Sequence, residues 1–386
     1  MNAWPFGGNN AIVRTGDNMK GLKSARGSAA IAVAVVMAVA PLAVAAETAV
    51  PAIAFDSVPD PLKLPTDLYL GEVSGVAVNS KGHVFVFSRG NTSGPAYAAA
   101  AAQLLEFDEK GVFLREIGKN LYGWSYAHAV RVDRDDNIWA TDKGSDIVVK
   151  FSPDGRVRLV LGRKQEASDE ETGPLKHPKP PLPAEDGRFR QVTDVTWDPA
   201  GNIYVSDGYI NSRVAKYDKD GNWLGSWGTR GDKPGEFNTP HSIASDAEGR
   251  IYVADRYNRR IQVFDGDGNL QRIIAIDVPF DHAIRPVIGN PLDPEARSGT
   301  FSPGAPWALC ITPPPNQVLY AADAYPGRIY KLSLDGRVVG TIGGPGRQLK
   351  QFGWVHEIAC PSENVLYVAE LLNWRVQKLL LRPAAR

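Results

Sequence analysis

The sequence predicts an all-β fold in which six four-stranded units form a closed ring, and two repeated patterns carry this prediction. The first is a turn cluster, then an alternating run of β-branched and aromatic residues, then usually an acid, as in "VDRDDNIWATD", "WDPAGNIYVSD" and "SDAEGRIYVAD". The second is a hairpin with an Asp-Gly or Asp-x-x-Gly turn, as in "KFSPDGRVRLVLG" and "KYDKDGNWLGSWG". Four short strands in each unit of about 40–50 residues are typical of a β-propeller.

Six copies of this unit follow one another along the chain. Aligned on the residue five positions before the turn that ends the first strand, they open at Ser74, His128, Thr193, His241, Trp307 and His356. The sixth unit is incomplete, because no second hairpin follows "VQKLLLRPAAR". The segment "PAIAFDSV" (residues 51–58) can supply the missing outer strand, which would remove two exposed sheet edges. We therefore expect a six-bladed β-propeller closed by an N-terminal strand.

The N-terminal region differs from the repeats. Basic residues predominate in residues 1–27, an apolar run from Ala29 to Ala46 follows, and this run ends in the small residues "AVAAE". This order predicts that residues 1–46 are an export signal, cut near Ala45 or Ala46. An uncleaved anchor is the alternative, because an apolar run of 18 residues can just span a bilayer. We expect residues 47–386 to form one propeller, periplasmic or secreted, without stable membrane insertion after cleavage.

Composition excludes one class of function and bears on assembly. The formal net charge is zero and there is no basic stripe, so we expect no nucleic-acid partner. We see no coiled-coil pattern and expect a monomer. The two cysteines, Cys310 and Cys360, are too few for a disulfide framework and lie in apolar strand contexts, so we expect buried free thiols.

Two long connections, residues 163–190 and about 277–306, should be surface loops near or over a site.

Histidines recur at one register of the repeat. His128, His241 and His356 open units two, four and six, whereas no odd-numbered unit opens on histidine. The first strand of each blade lines the channel of a propeller, and alternate blades of a six-fold ring are about 120° apart. Three imidazoles would therefore meet near the axis at one height and, with an open fourth position, form the catalytic pattern for zinc. The alternative is three separate core histidines, each bonded to a backbone partner.

Several motifs carry a resemblance to a known family. They are "VSGVAVN", "FSRGN", "GKNLYGWSYAHAV", "QVTDVTWDPAGNIYVSDGYINSRV", "PGEFNTPHSIA" and "YVADRYNRRIQVF". The units resemble NHL-type propeller repeats, and residues 73–377 resemble the peptidyl-α-hydroxyglycine α-amidating lyase family. Among propellers, "SDGYINSR" and "ADRYNRRIQ" are specific to that family.

The resemblance implies a role for particular residues. The family's three zinc-binding histidines match the register set, its catalytic tyrosine matches Tyr209, and its two active-site arginines match Arg89 and Arg256. Its structural calcium site, made of two backbone carbonyls and a carboxylate, corresponds to Val76, Val130 and Glu357. This chain departs from the family in having Glu357 for aspartate, Trp354 for methionine and Ile210 for the cysteine of animal members.

The implied reaction is the cleavage of an α-hydroxyglycine-type carbinolamide, in a small molecule or a peptide, to an amide and glyoxylate. Position fits this chemistry: Arg89 replaces the acid that ends the second strand in the other units, and Arg256 and Tyr209 follow that acid by one and two residues. All three should therefore lie at one face of the ring. A non-catalytic exported propeller that binds a partner is the first alternative. A related metal-dependent lyase or hydrolase acting on another hemiaminal is the second.

Overall fold

The computed structural model describes residues 50–90, 102–164, 182–289, 293 and 296–382. All regular elements of these residues are β-strands. No helix among them is long and apolar enough to cross a membrane. The predicted export signal lies outside the described residues, as do residues 165–181 of the first long connection.

The strands follow the predicted repeat. They begin with β1 (Phe55–Val58), β2 (Val73–Val78), β3 (Val84–Ser88), β4 (Gln103–Phe107), β5 (Phe113–Ile117), β6 (Ala127–Val132), β7 (Ile138–Asp142), β8 (Ile147–Phe151), β9 (Val157–Gly162), β10 (Asp194–Trp197), β11 (Ile203–Asp207), β12 (Arg213–Tyr217) and β13 (Trp223–Trp227). They continue with β14 (Pro240–Ser245), β15 (Ile251–Asp255), β16 (Arg260–Phe264), β17 (Leu270–Ala275), β18 (Ala308–Ile311), β19 (Leu319–Ala322), β20 (Ile329–Leu332), β21 (Val338–Ile342), β22 (Gly344–Pro345), β23 (Gln351–Phe352), β24 (Val355–Ser362), β25 (Val365–Glu370) and β26 (Arg375–Leu381).

Six four-stranded antiparallel sheets form a closed ring, which confirms the predicted six-bladed β-propeller. Blades one to five are β2–β5, β6–β9, β10–β13, β14–β17 and β18–β21, and blade six consists of β24, β25, β26 and β1. The innermost strands are β2, β6, β10, β14, β18 and β24, and each contacts the innermost strands of the two neighbouring blades. The apolar cores lie between adjacent blades. The innermost strands therefore surround the axis that the site residues face.

The N-terminal strand supplies the outer strand of blade six. β1 pairs antiparallel with β26, from Phe55 opposite Leu381 to Val58 opposite Lys378. Just before it, the Ile53 backbone N–H donates to the carbonyl of Thr341 in blade five at 2.8 Å. Ile53 and Phe55 also pack against the apolar cluster between blades five and six. This short segment therefore joins two blades at the position where the ring closes.

The acids that end the second strand of blades two to six fix the chain segment leading into each innermost strand. Asp142, for example, accepts the backbone N–H groups of Ser125 and Tyr126, at 2.8 Å and 3.0 Å. Asp255 accepts that of Asn238 at 2.7 Å, and Glu370 accepts that of Gly353 at the same distance. A buried carboxylate that accepts backbone N–H bonds holds that backbone in one place. These acids are structural, and they determine where the first strands begin.

The expectation of free thiols is wrong, because Cys310 and Cys360 form a disulfide. Cys310 lies on β18 and Cys360 on β24, the innermost strands of blades five and six. Strands 50 residues apart in sequence are neighbours in the ring, and the two Cα atoms are 6.1 Å apart. A cross-link that closes a loop of this length stabilises the folded chain by about 4 kcal/mol in the chain-entropy model.

Candidate active site

The three histidines of the register set meet on the axis of the ring. His128 lies on β6, His241 on β14 and His356 on β24, and all three are buried. Their potential ligand atoms lie within 4.8 Å of one another. The ring centroids are 4.7 Å to 4.9 Å apart. The equal register of the three histidines in the repeat therefore places their imidazoles in one compact cluster.

A local irregularity of the strands presents each imidazole to the axis. The pairing register between first and second strand shifts around each histidine, for example between Ala127 and Ala129. The histidine is thus part of a β-bulge, a feature that re-aims side chains and is common beside active sites. Thr239 and Trp354, two residues before His241 and His356, have left-handed φ angles of 61° and 67°. A strained backbone conformation of this kind persists where the surroundings hold it in place.

The backbone hydrogen bonds of the imidazoles occupy only one nitrogen of each ring. Each Nδ1–H donates to the carbonyl at the equivalent position of the next blade: His128 to Thr193 at 2.6 Å, His241 to Trp307 at 2.7 Å and His356 to Ser74 at 2.7 Å. Each Nε2 then carries a lone pair. The Nε2 of His241 is buried and has no hydrogen-bond partner in the described part of the chain.

These observations fit a metal ion better than three independent core histidines. If the histidines were separate core residues, each would need a backbone partner, and a carbonyl does bond one nitrogen of each ring. These carbonyls do not account for the second nitrogen, the buried Nε2, of His241. Backbone bonds to Nδ1 are the usual way in which ligating histidines are oriented. Burial lowers the pKa of all three imidazoles well below the ordinary value, so they are neutral, as metal ligands must be.

Tyr209 and Arg256 lie beside the histidine cluster. The Tyr209 hydroxyl is 3.5 Å from His128 Nε2 and 3.5 Å from a terminal nitrogen of Arg256. The Arg256 guanidinium lies 3.9 Å above the Trp307 ring, and its Nε is buried without a partner among the described residues. Burial alone would raise the pKa of Tyr209, but the charges of Arg256, Lys143 and Arg89 lower it. The site therefore makes ionisation of Tyr209 easier than it is for a free tyrosine.

Arg89 reaches the same face but is already paired. One terminal nitrogen of Arg89 is 2.9 Å from a carboxylate oxygen of Glu72, and both side chains are buried. Its Nε donates to the carbonyl of Ala127 at 2.9 Å. Arg89 therefore holds the residue next to His128, and Glu72 offsets its charge.

Lys143 is a further cation of the site that the sequence reasoning missed. Its Nζ lies 4.1 Å from the centroid of the Tyr209 ring and 5.0 Å from that of Tyr126. Within the described ranges, no ion pair or hydrogen bond of this ammonium group is found. One signal could have found it: Lys143 follows the strand-end acid of its blade by one residue, as Arg256 follows Asp255.

An aromatic surface borders the site on the side of Arg256. The ring centroids of Trp307 and Trp354 are 4.9 Å apart, and Phe301 lies 5.6 Å from Trp307 and 5.0 Å from Trp354. His241 contacts the same Trp307 ring, at 4.7 Å between centroids. Phe301 belongs to the connection from about residue 277 to 306, so part of this loop lies at the site, as predicted.

The residues implied as calcium ligands form a different arrangement. Val76 and Val130 donate their backbone N–H groups to one oxygen of the Glu357 carboxylate, at 2.8 Å and 3.1 Å. The other oxygen of Glu357 is 3.1 Å from Nε of Arg131. Calcium requires six to eight oxygen ligands. N–H donors and a guanidinium at this carboxylate do not fit such an ion, so the calcium expectation is not supported by this geometry.

Fold and site together define the class of protein: a β-propeller with a three-histidine centre on its axis. A family model for the NHL repeat matches residues 237–264. A solved structure described as a streptogramin B lyase has a TM-score of 0.51, with 14% identity, and covers 86% of this chain and 97% of its own. At this identity the likeness shows a shared fold alone.

Two curated relatives are more informative about the kind of propeller. The chain is 28% identical over 310 residues to a probable peptidyl-alpha-hydroxyglycine alpha-amidating lyase of Caenorhabditis elegans, covering 69% of this chain and 83% of the relative. It is 28% identical over 335 residues to peptidyl-glycine alpha-amidating monooxygenase A of Xenopus laevis, covering 79% of this chain and 31% of the relative. This chain thus spans about a third of that relative's length. The resemblance to amidating lyases is confirmed.

Proposed function

We propose that this chain is a zinc-dependent lyase that cleaves an α-hydroxyglycine-type carbinolamide, –CO–NH–CH(OH)–COO⁻, to an amide and glyoxylate. The observation that carries the proposal is the group of three inward-facing imidazoles beside Tyr209 and Arg256, an arginine without a carboxylate partner among the described residues. A propeller that only binds a partner has no need of a tyrosine and such an arginine at a metal centre. The similarity to amidating lyases supports this reaction over that of another hemiaminal lyase or hydrolase.

His128, His241 and His356 would hold the zinc ion. Three neutral imidazoles with an open fourth position are the donor set of catalytic zinc. When bound, the ion supplies a Lewis acid that lowers the pKa of the substrate hydroxyl group.

Tyr209 is the proposed base. Its hydroxyl lies next to His128 Nε2, where the substrate hydroxyl must come, and the cations around it lower its pKa, which eases formation of the phenolate that can take a proton. The hydroxyl group loses its proton to Tyr209, its C–O bond becomes the carbonyl of glyoxylate, and the C–N bond breaks. The amide nitrogen then receives a proton, and Tyr209 is the nearest donor to return it.

Arg256 and Lys143 are the proposed binding groups for the substrate carboxylate. Both lie against Tyr209, and neither has a carboxylate partner among the described residues. A guanidinium binds a carboxylate with two parallel N–H bonds, and an ammonium adds a point charge. Arg89, which Glu72 neutralises, would instead keep the strand of His128 in position.

The aromatic surface of Phe301, Trp307 and Trp354 is the proposed contact for the acyl or peptide part of the substrate. It begins at Arg256, which stacks on Trp307, so the apolar part of a substrate held by its carboxylate at Arg256 would lie nearby.

We also propose that the mature chain is a monomer exported to the periplasm or the medium. The Cys310–Cys360 disulfide supports export, because disulfides persist in oxidising compartments.

Glyoxylate release tests the proposal. Purified zinc-loaded protein comprising residues 47–386 is mixed with an N-acyl-α-hydroxyglycine, and glyoxylate is measured against the spontaneous reaction. We expect fast release by the native protein and a kcat lower by about 10²- to 10⁴-fold for Tyr209→Phe at unchanged zinc content. Tyr257→Phe is the matched control, because this tyrosine is exposed. Absence of release from folded, zinc-loaded protein would refute the assignment.

Lys143→Met separates charge from packing at the carboxylate site. We expect KM for the carboxylate substrate to rise about tenfold, because hydrogen bonds to charged groups contribute about 1.5–3 kcal/mol. Inhibition by the corresponding α-hydroxyglycinamide, which lacks this charge, should change little. Lys119→Met is the control, since its side chain is 70% exposed. Equal losses for the charged and the neutral compound would show that Lys143 acts by packing alone.

A further inference from the structure

Arg131 is the centre of a polar cluster on the axis, next to the histidine layer. Its guanidinium makes a two-point contact with the Asp194 carboxylate, at 2.9 Å and 2.5 Å, and a contact of 3.1 Å with Glu357. It also reaches the carbonyls of Ile358 and Leu309, at 3.3 Å and 3.2 Å. The side chain is 14% exposed. A largely buried arginine thus joins two buried carboxylates.

The cluster draws on all six blades. Arg131 comes from blade two, Asp194 from blade three and Glu357 from blade six. In blade four, Ser242 donates its hydroxyl to Asp194 at 2.8 Å and accepts the backbone N–H of Leu309, in blade five, at 3.0 Å. Blade one contributes the N–H of Val76, which donates to Glu357. One connected network therefore ties the innermost strands together.

The two carboxylates differ in their hydrogen bonds. Asp194 accepts the backbone N–H groups of Val195 and Ile243, at 2.8 Å and 3.1 Å. One oxygen of Glu357 accepts the backbone N–H groups of Val76 and Val130, whereas the other has no hydrogen-bond partner among the described residues and lies 3.1 Å from Nε of Arg131. Burial opposes the charge of Arg131, but the two carboxylates raise its pKa, so its charge is permanent. Buried carboxylates are tolerated when an opposite charge is paired with them, and Arg131 supplies that charge.

Little space remains at this point of the axis. A cavity of about 10 Å³ lies between the histidines and the Arg131 cluster, the size of about one water molecule. A Cβ atom at Gly75 would lie 2.8 Å from the Glu357 carboxylate and 2.9 Å from the backbone nitrogen of Val130. A divalent ion bound at Glu357 would lie beside the guanidinium of Arg131, whose charge repels it.

We propose that Arg131 takes the place of an axial divalent cation, so that the chain closes its six innermost strands with an internal guanidinium and needs no calcium. The exchange is chemically consistent, because a permanent cation with N–H donors in a planar fork contacts two carboxylates and two carbonyls, and oxygen atoms of these kinds are also what calcium prefers. This inference is independent of the reaction proposed above.

Calcium binding by the native protein is the first test. Zinc-loaded protein is dialysed against about 1 mM calcium, the range in which weak extracellular sites bind, and bound calcium and Tm are measured. We expect calcium far below one ion per chain and a Tm that added calcium does not change. One bound calcium per chain with a raised Tm would overturn the proposal, because ligands of the folded state stabilise it.

Arg131→Ala is the second test, with Arg134→Ala as the exposed control three residues away on the same blade. Removing one partner of a buried ion pair leaves uncompensated charge, so we expect Tm to fall by about 5–10 °C. Calcium should restore part of this loss, because the vacated space is lined by carboxylate and carbonyl oxygens. An unchanged Tm, or a loss that calcium does not reduce, would contradict the exchange. If Arg131→Ala fails to fold, the proposal is tested by the Tm of Arg131→Lys with and without calcium and by calcium binding to the native protein.

Discussion

Replacing His241 with alanine is expected to abolish both stoichiometric zinc binding and glyoxylate release, while the ring remains folded. The imidazole supplies one of three converging donors, and no described residue offers its Nε2 a hydrogen bond in place of a metal ion. Two remaining imidazoles do not form the three-donor site that catalytic zinc requires. The measurements are zinc content after dialysis, glyoxylate release and the thermal unfolding curve.

His282→Ala is the matched control for this experiment. His282 is exposed and stacks on Phe280 in the long connection. This variant should keep both zinc and turnover. A His241→Ala protein that releases glyoxylate at the native rate would show that the histidine cluster is not the reactive centre. If the native protein binds zinc but releases no glyoxylate, the reading as a binding module gains support.

Removal of the N-terminal strand is expected to cause the largest loss of stability. A chain that begins at Pro59 lacks Ile53 and Phe55, which pack between blades five and six, and the whole pairing of β1 with β26. Burial of one large apolar side chain contributes about 1.5–3 kcal/mol, and the strand bonds add to this. We expect a fall in Tm of roughly 10 °C or more, or failure to fold.

A chain that begins at Glu47 is the control, because it retains β1 and differs from the native chain in the predicted export signal. Phe55→Ala is the milder variant for the case in which the shortened chain does not fold. It should lower the free energy of unfolding by about 1–2 kcal/mol, since this side chain is partly buried. Equal Tm values for the chains that begin at Glu47 and Pro59 would show that β1 does not close the ring.

The predicted and the missed features of the site differ in the information that each requires. His128, His241 and His356 could be brought together from sequence because equal register on alternate blades becomes equal height around one axis. Lys143 has the same kind of signal, one residue after a strand-end acid, but a single lysine at a strand end is ordinary. Its position above the Tyr209 ring depends on contacts between blades two and three.

The position of Arg131 on the axis was not predicted from the sequence, and the reason is geometric. In a regular strand, residues three positions apart point to opposite faces, so His128 and Arg131 would not both face the axis. The register shift at His128 breaks this alternation. The geometry does not support the calcium expectation either, because the guanidinium lies at Glu357, where the resemblance implied an ion.

The sequence by itself determined the repeat, the number of blades, the strand that closes the last one and the common register of three histidines. These follow from local alternation and turn chemistry, which are repeated in every unit and so reinforce one another. The tertiary structure alone decided the Cys310–Cys360 disulfide, the pairing of Arg89 with Glu72 and the axial cluster of Arg131. Each of these joins residues that the ring brings together in space, and their side-chain directions are set by packing and bulges that no local pattern encodes.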